Sequence, residues 1–181
     1  MFQIRLQTPA DAIAVETLND LGFGSNRHGR TVWRFRQGPV ADGLALVAAG
    51  LEADTPLATL RFWPVTIGGI APALLLGPLA VCPTRRGQGM GRALVGHGLS
   101  KARDLGWTLC LVSGDPRYYQ PYGFSSADPH GITLPGPIEA GRFQVVELTP
   151  GALAALDGLA DRTLQPWRWV RADSTSALSA A

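Results

Sequence analysis

Apolar positions follow two spacings along the chain, and each spacing predicts a different kind of element. Short runs rich in branched and apolar side chains are typical of β-strands. Such runs predict strands at 2–6, 44–52, 57–67, 73–81, 107–112 and 142–148, with one more near Phe124. The run at 73–81, ALLLGPLAV, is apolar throughout, which indicates a buried central strand. Gly77-Pro78 predicts a bulge in it, because proline cannot donate to the hydrogen-bond ladder.

The clearest helix is predicted between the fourth and fifth of these runs. Small and apolar residues recur there at helical spacing, and Gly106 is placed to end the helix. This face consists of Gly91, Leu94, Val95, Gly98, Leu99, Ala102 and Leu105. A strand, a helix and a strand at this spacing predict a right-handed crossover that joins two parallel strands.

Other helices are predicted on both sides of this unit. Thr8 and Pro9 are typical of a helix start, and the first helix is expected to run to about Leu21 and to end at Gly22. Shorter helical segments are predicted in TVWRFRQG, SGDPRYYQPYGF and TPGALAALDGL. Together these elements predict an α/β fold, with a mixed, strongly twisted sheet of about six or seven strands and helices on both faces.

Glycines are concentrated where the 73–81 strand meets the following helix. Residues 85–91 read RRGQGMG, although glycine is a poor helix former. The first N–H groups of a helix have no partner within it, and the helix dipole favours negative charge there. Glycines let several N–H groups converge on a phosphate, and Arg86 and Arg92 can add charge-assisted hydrogen bonds. The stretch therefore predicts a site for a pyrophosphate or a similar anion.

Two common phosphate-binding motifs do not fit these glycines. A Walker A loop needs a lysine and a hydroxyl after its last glycine, and neither follows here. The dinucleotide fingerprint G-x-G-x-x-G differs from the spacing of Gly87, Gly89 and Gly91, and the 107–112 strand supplies no acidic residue for a ribose. Both nucleotide interpretations are therefore weak.

Composition and charge exclude some classes of function. The 181 residues carry 16 Lys+Arg against 14 Asp+Glu, which argues against nucleic-acid or membrane binding through bulk charge. Cys82 and Cys110 lie in apolar segments without metal-ligand spacing, so both are predicted to be buried free thiols in a reducing cytoplasm. No signal peptide or membrane span is evident, and no metal is implied. One domain is expected at 1–172, followed by a disordered tail at 173–181.

A family resemblance becomes specific at the glycine-rich turn. The stretch VCPTRRGQGMGRAL at 81–94 resembles the acetyl-CoA signature of the GNAT acetyltransferases, whose core is R/Q-x-x-G-x-G/A. The segment YQPYGF at 119–124 is similar to the second signature of that family. The segments GPLAV, RGQGMGRALV and GDPRYYQPYGF resemble, more narrowly, those of the YhbS-like N-acetyltransferases. The recognisable part covers about residues 57–125, and the N-terminal half fits only in the order of its elements.

The resemblance implies a GNAT-like fold and an N-acetyltransferase that uses acetyl-CoA as its co-substrate. It implies that backbone N–H groups of the 86–92 turn bind the pyrophosphate, and that the pantetheine arm inserts beside the 73–81 strand like a missing strand. The main chain there would pair with the amides of that arm or with the thioester carbonyl. The implied cofactor-binding residues are Leu79, Ala80, Val81, Arg86, Gly87, Gln88, Gly89, Met90, Gly91, Arg92 and Asp115.

Tyr119 is the candidate catalytic residue. Aromatic packing alone could account for Tyr118 and Tyr119, but the spacing from Tyr119 to Gly123 and Phe124 matches the second signature. A phenol with a pKa of about 10 can protonate a thiolate leaving group whose conjugate acid has a pKa of about 8.5. Asp115 is by default the cap of this short helix, and the resemblance puts a polar residue there beside the pantetheine arm.

The base that deprotonates the attacking amine is not identified. The 73–81 strand contains no ionisable side chain, so Glu52, His28 and a chain of water are the candidates. Arg61 and Trp63 alternate on a strand and could line an acceptor pocket, although packing and an exposed arginine are the simpler interpretation.

The predicted function is acetyl transfer from acetyl-CoA to a primary amine of a small molecule or peptide, by direct attack within a ternary complex. Three alternatives stay open: an acyl-CoA-binding regulator without activity, an acetyltransferase for a protein N-terminus or charged tRNA, and an unrelated nucleotide-binding protein. Arg27, Arg30, Arg34 and Arg36 could contact a tRNA, but such a cluster is usually a solvated helix face. The sequence does not identify the acceptor or the oligomeric state, and it leaves open a homodimer formed through a sheet edge or a helix.

Overall fold

The structure is a computed structural model that describes residues 1–167. The strands in this range are β1 (Phe2–Leu6), β2 (Ala45–Gly50), β3 (Pro56–Ile67), β4 (Ala71–Val81), β5 (Leu109–Ser113), β6 (Ser125–Ser126), β7 (Phe143–Glu147) and β8 (Leu164–Pro166). The α-helices are α1 (Ala12–Phe23), α2 (Met90–Asp104) and α3 (Pro116–Tyr119). Each strand that the apolar runs predict is present, and β8, three residues that include a proline, is additional.

The strands form one mixed sheet in the order β1-β2-β3-β4-β5-β7-β6, with β8 paired to the far end of β3. The β4–β5 pair is parallel, and the other pairs are antiparallel. A parallel pair needs a crossover connection, and α2 provides it. The predicted α/β class and the crossover are therefore confirmed.

Helices cover both faces of the sheet. Leu60 and Phe62 of β3 belong to the core cluster that contains the buried face of α2. Arg61 lies between them and reaches Glu16 of α1, with 3.1 Å between Nη1 and Oε1. Because alternate residues of a strand point to opposite faces, α1 and α2 lie on opposite sides of β3. A second cluster, around Trp63, Leu75 and Leu111, fills the face opposite α2.

The sheet is interrupted at the centre of β4, where the predicted bulge occurs. Register between β3 and β4 shifts at this point, so that Leu60 faces Leu79 whereas Phe62 faces Leu76. Pairing between β4 and β5 ends at Leu76 and Val112, although β4 continues for five residues to Val81. Within residues 1–167, the last part of β4 therefore keeps β3 on one edge and has no strand on the other.

Several predicted boundaries are wrong. The first helix passes through Gly22 and ends at Gly24, whose φ of 80° breaks helical geometry. The segment TPGALAALDGL contains only a 3-10 turn, Ala154–Leu156, and the Glu147 carboxylate accepts a hydrogen bond from Leu153 N, which ties the segment to β7. TVWRFRQG likewise forms a 3-10 helix, Thr31–Phe35.

Trp167, the last residue that the structure describes, packs on the indole ring of Trp107. Trp167 and Trp169 alternate near the C-terminus, and this spacing predicts that they cover the core. The Trp167 ring is half-buried, with its centroid 6.1 Å from that of Trp107, whereas Trp169 and the predicted tail at 173–181 lie outside the described residues. Within residues 1–167, the structure contains no helix of the length and apolar character needed to cross a membrane.

Candidate active site

Three adjoining cavities form one cleft along the interrupted part of β4. The turn cavity, about 510 Å³, lies between α1, the end of β4 and the start of α2. The strand cavity, about 340 Å³, opens where β4 and β5 separate and is lined by Tyr119. The arginine cavity, about 330 Å³, is lined by Arg30, Trp33, Arg36 and Arg142. Phe23 lines all three, so the cavities lie side by side along one cleft.

Most of the residues predicted to bind the cofactor line the turn cavity. They are Leu79, Ala80, Val81, Arg86, Gly87, Gly89, Met90, Gly91 and Arg92. Gln88 instead lines a separate cavity beside the N-terminus and Glu52. Asp115 lies in the strand cavity with Tyr119. The structure therefore divides the predicted set between two parts of the cleft and places the Gln88 side chain outside it.

The glycines of the turn have two distinct roles. Gly87 and Gly89 adopt φ values of 79° and 84°, and no protein atom lies within 4 Å of where a Cβ would stand. They are needed for a left-handed backbone. Gly91 is needed for close packing, since a Cβ there would come 2.7 Å from the Tyr118 hydroxyl and 3.4 Å from Val81.

This backbone leaves several N–H groups without helical partners. The earliest hydrogen bond of α2 runs from Ala93 N to Gly89 O, at 2.9 Å, so the N–H groups of Gly89 to Arg92 precede the regular ladder. Arg86 N donates to Pro83 O at 3.4 Å, which engages one N–H that the resemblance implies for an anion. The donors available for an anion therefore begin after Arg86.

The turn cavity has a positive lining. Arg85, Arg86 and Arg92 contribute to it, and none of the lining residues among those described is acidic. The N-terminal end of the helix dipole adds positive potential at the same place. Backbone donors, dipole and guanidinium groups together make this cavity suited to a polyanion such as a pyrophosphate.

Tyr119 stands at the inner wall of the strand cavity. Its ring is 8% exposed and packs edge-on against Tyr118 and Phe124, with centroids 5.0 Å and 5.6 Å away. Gly114 makes room for it, because a Cβ at that position would overlap the Tyr119 ring. Burial raises the pKa of Tyr119 well above that of a free phenol. The hydroxyl is therefore protonated at neutral pH, and it is a weaker acid than a free phenol.

Asp115 caps the start of a helix, which is the default role that the sequence predicts for it. Its Oδ1 accepts a hydrogen bond from Arg117 N at 2.9 Å, and its residue is exposed at the rim of the strand cavity. The carboxylate holds the start of α3, the helix that ends at Tyr119. It thereby supports the position of the tyrosine.

Arg36 is shared between the strand cavity and the arginine cavity. Its guanidinium carbon lies 4.5 Å from the centroid of the Trp33 ring, and its Nε is buried without a hydrogen-bond partner. Burial lowers the pKa of Arg36 to about 9, which still leaves the group cationic at neutral pH. Gly77 admits this side chain, because a Cβ there would come 2.6 Å from Nη2.

The arginine cluster is not the solvated helix face that the sequence suggested. Arg27 is 4% exposed and forms ion pairs with Glu16, at 2.8 Å, and with Asp20. Arg36 is half-buried in the cleft, and only Arg30 and Arg34 are exposed. Charge spacing alone did not indicate this, because the 3-10 turns at 25–35 direct neighbouring arginines to different environments.

Other predicted candidates lie outside the cleft. Arg61 is largely covered and binds Gln7 and Glu16, and Trp63 is buried in the core, so neither lines the three cavities. Glu52 is exposed in the separate cavity beside Gln88. His28 is exposed and packs its ring edge against Trp33, with centroids 5.3 Å apart. The structure thus brings no predicted base into contact with the strand cavity.

The two cysteines differ from each other. Cys110 is fully buried in the core, as predicted. Cys82 is only half-buried, which corrects that prediction, because it follows the end of β4 and its thiol turns towards the Thr84 hydroxyl at 3.4 Å. Within the described residues, no group of three or more His, Cys, Asp or Glu side chains is arranged to hold a metal ion.

Comparison with known proteins accounts for this arrangement. No family model matches the chain. The chain is 32% identical over 162 residues to the uncharacterised N-acetyltransferase YhbS of Escherichia coli K12, which covers 87% of this chain and 94% of that protein. The crystal structure of E. coli YhbS, a GNAT N-acetyltransferase in complex with CoA, matches with a TM-score of 0.75 and 29% identity over 92% of this chain and 89% of that one.

The chain belongs to the GNAT family of N-acetyltransferases. A GNAT acetyltransferase from Brucella melitensis in complex with acetyl-CoA is 30% identical, with a TM-score of 0.64 over 83% of this chain and 90% of that one. A GNAT acetyltransferase of Staphylococcus aureus has only 11% identity but a TM-score of 0.56, and it shares the fold. The GNAT resemblance of the glycine-rich turn is thereby confirmed over nearly the whole chain.

Proposed function

We propose that this GNAT chain transfers an acetyl group from acetyl-CoA to a primary amine by direct attack within a ternary complex. One observation carries the proposal: β4 loses its β5 neighbour immediately before it leads into the glycine-rich turn. A free strand edge and a helix N-terminus therefore lie along one cleft. The complexes of the E. coli and Brucella proteins with CoA and acetyl-CoA support it.

In this proposal the turn cavity takes the pyrophosphate. The N–H groups that follow Arg86, up to Arg92, donate to its oxygens, and the Arg86 and Arg92 side chains add charge-assisted hydrogen bonds. Gln88 contributes its main chain only, since its side chain faces the other cavity.

The free edge of β4 takes the pantetheine arm. The main chain of Leu79, Ala80 and Val81 pairs with the amides of the arm as a neighbouring strand would, and Asp115 lines the opposite rim. A backbone N–H from this edge, at Leu79, stabilises the oxyanion when the thioester carbonyl is attacked.

Chemistry takes place in the strand cavity. The amine nitrogen forms a bond to the thioester carbonyl carbon, and the carbon–sulfur bond then breaks. Tyr119 donates its proton to the departing sulfur, and solvent restores that proton afterwards. The amine loses its own proton to water in the cleft, because none of the predicted bases reaches this cavity.

Steady-state kinetics of thiol release test the proposal. Purified protein is assayed for free CoA over a panel of primary amines, with both substrates varied. We expect release that depends on the amine, and intersecting initial-velocity lines, as direct attack in a ternary complex requires. Parallel lines would contradict direct attack, and the absence of release with any amine would contradict the transferase function itself.

A further inference from the structure

Two arginines contact the same indole but differ in their electrostatic partners. Arg27 and Arg36 lie 5.3 Å and 4.5 Å from the centroid of the Trp33 ring. Arg27 is neutralised by the carboxylates of Glu16 and Asp20. Arg36 has no ion pair among the described residues, whereas the Nε atoms of both arginines are buried there without a hydrogen-bond partner. The contact with the Trp33 ring leaves the half-buried Arg36 cation without a counter-ion in this part of the chain, so packing alone does not account for a charge at this place in the cleft.

The charge of the arginine cavity is also out of balance. Arg30, Arg36 and Arg142 line it, against Glu139 as the single acidic lining residue among those described. Glu139 is exposed and faces Arg142, with 3.6 Å between Oε2 and Nε. Within the described residues, the Arg30 guanidinium donates only to the carbonyl of Phe23, at 3.4 Å. The cavity therefore has an excess of positive charge that no carboxylate of its lining offsets.

Arg36 is also the link between this cavity and the place of reaction. It lines the strand cavity together with Gly77, Leu79 and Tyr119. Gly77, at a φ of 116°, lets Nη2 approach the bulge of β4 more closely than any side chain at that position would allow. A group bound to the guanidinium is consequently held beside the free edge of β4, where the proposed thioester lies.

We infer that the acceptor carries an oxyanion, a carboxylate or a phosphate, close to its primary amine, and that Arg36 binds this oxyanion. The inference rests on the proposed function and narrows its substrate class. A guanidinium presents a planar fork that matches both oxyanions, and the attraction is strong where water is excluded. A cavity of about 330 Å³ suits a small amino acid or a phosphorylated small amine.

Matched pairs of amines test this inference. Glycine is compared with glycinamide, and phosphoethanolamine with ethanolamine, with kcat/KM expressed per unprotonated amine. We expect the anionic member of at least one pair to be preferred by about 100-fold, the size of effect found when one partner of a buried charge pair is missing. The pair that responds distinguishes a carboxylate acceptor from a phosphate acceptor.

Variants assign the preference to Arg36. Arg36→Gln should abolish it, and Arg36→Lys should keep part of it, because the charge remains while the fork is lost. Arg34→Gln is the control, since Arg34 is exposed, lies two residues away and lines none of the three cavities. Thermal unfolding midpoints of all variants establish that each is folded.

A binding readout separates failure of this inference from failure of the proposed function. Calorimetry of N-acetylglycine and N-acetylglycinamide on the CoA-loaded protein needs no turnover. Equal kcat/KM within both pairs would overturn the oxyanion inference and leave the transferase function intact. If no amine is acetylated, the proposed function fails. The oxyanion site at Arg36 is then supported only if N-acetylglycine binds and Arg36→Gln abolishes that binding, and it fails otherwise.

Discussion

The two ends of the cleft are built from different parts of the protein. At the turn cavity, the binding groups are main-chain N–H groups within one short run, Gly87 to Arg92, beside a free strand edge. At the arginine cavity, they are side chains that come from separate segments, with Trp33 and Arg36 before β2 and Arg142 before β7. The first end depends on where a Cβ is absent, and the second depends on which side chains are present.

This difference explains how the two ends respond to change. Backbone donors are identical for every residue type except proline, so the turn cavity tolerates most side-chain replacements that keep its φ angles and its packing. Replacement of a single guanidinium removes the binding group itself at the arginine cavity. We therefore expect the cofactor end to fail through added bulk and the acceptor end to fail through lost charge.

The largest effect is expected where the two ends meet, at Tyr119. Tyr119→Phe removes only the hydroxyl, and we expect kcat to fall by about 100-fold or more, because general-acid catalysis contributes about 10²–10⁴. The measurement is steady-state thiol release at saturating acetyl-CoA and amine.

Tyr122→Phe is the matched control for this change. Tyr122 donates to Arg92 O at 3.2 Å and lines none of the three cavities of the cleft. We expect its kcat to stay close to wild type. Full turnover by Tyr119→Phe, with an unchanged pH profile, would exclude Tyr119 as the proton donor.

A second effect sharpens the description of the cofactor end. Gly91→Val should weaken acetyl-CoA binding by about 30-fold, or about 2 kcal/mol, the usual cost of overpacking a close contact. The new side chain displaces Tyr118 from the wall of the turn cavity. Affinity is measured by calorimetric titration of the folded variant.

Gly96 offers the control for that experiment. It lies on the exposed side of the same helix, and no atom lies within 4 Å of where its Cβ would stand. Gly96→Ala should leave acetyl-CoA affinity unchanged and raise stability slightly, because alanine favours the helix by about 1 kcal/mol. Equal losses of affinity in Gly91→Val and Gly96→Ala would contradict a local packing role for Gly91.

A third effect concerns stability, and it distinguishes an arginine that supports the fold, Arg27, from one that serves the site, Arg36. Arg27→Met removes two ion pairs and should lower the free energy of unfolding by about 1.5 kcal/mol. Arg36→Met removes a half-buried cation that contacts Trp33 but has no ion pair among the described residues, and it should lower the free energy of unfolding by less than Arg27→Met does. Urea unfolding measures the free energy of unfolding of both variants. A larger decrease in Arg36→Met than in Arg27→Met would mean that Arg36 belongs to the scaffold.

The smallest expected effect concerns pH. Burial raises the pKa of Tyr119, so its phenol stays protonated from about pH 7 to about pH 9 and its titration does not limit turnover there. Turnover should rise from about pH 7 to about pH 8 as the amine acceptor loses its proton, and the rise should flatten towards pH 9, because the pKa of Arg36 is about 9 and its charge is lost there. A descending limb below about pH 9 in wild type that disappears in Tyr119→Phe would contradict the raised pKa.

The sequence predicted the scaffold and the cofactor end because both are coded locally. Apolar runs located seven strands, and Gly77-Pro78 indicated the bulge that opens the sheet. The RRGQGMG turn indicated an anion site from its own residues, before any fold was known. The role of each glycine could not be predicted from the sequence, because the contact of Gly91 with Tyr118 joins residues that are 27 positions apart.

The acceptor end was not predictable in the same way. Arg27 and Arg36 are alike in a sequence pattern, and both were assigned to a solvated face. Only the fold separates them, because Arg27 meets two carboxylates of α1 whereas Arg36 meets the bulge of β4. Helix bounds failed for a related reason, since the φ of 80° at Gly24, which follows the end of the first helix, is a backbone conformation that composition does not reveal.

Calorimetric titration of the purified protein with acetyl-CoA, NAD and ATP tests the central claim most directly. We expect acetyl-CoA to bind with micromolar affinity and one site per chain, and NAD and ATP not to bind at comparable concentrations. Binding of NAD or ATP without acetyl-CoA, or no binding of acetyl-CoA at all, would contradict the assignment of the cleft.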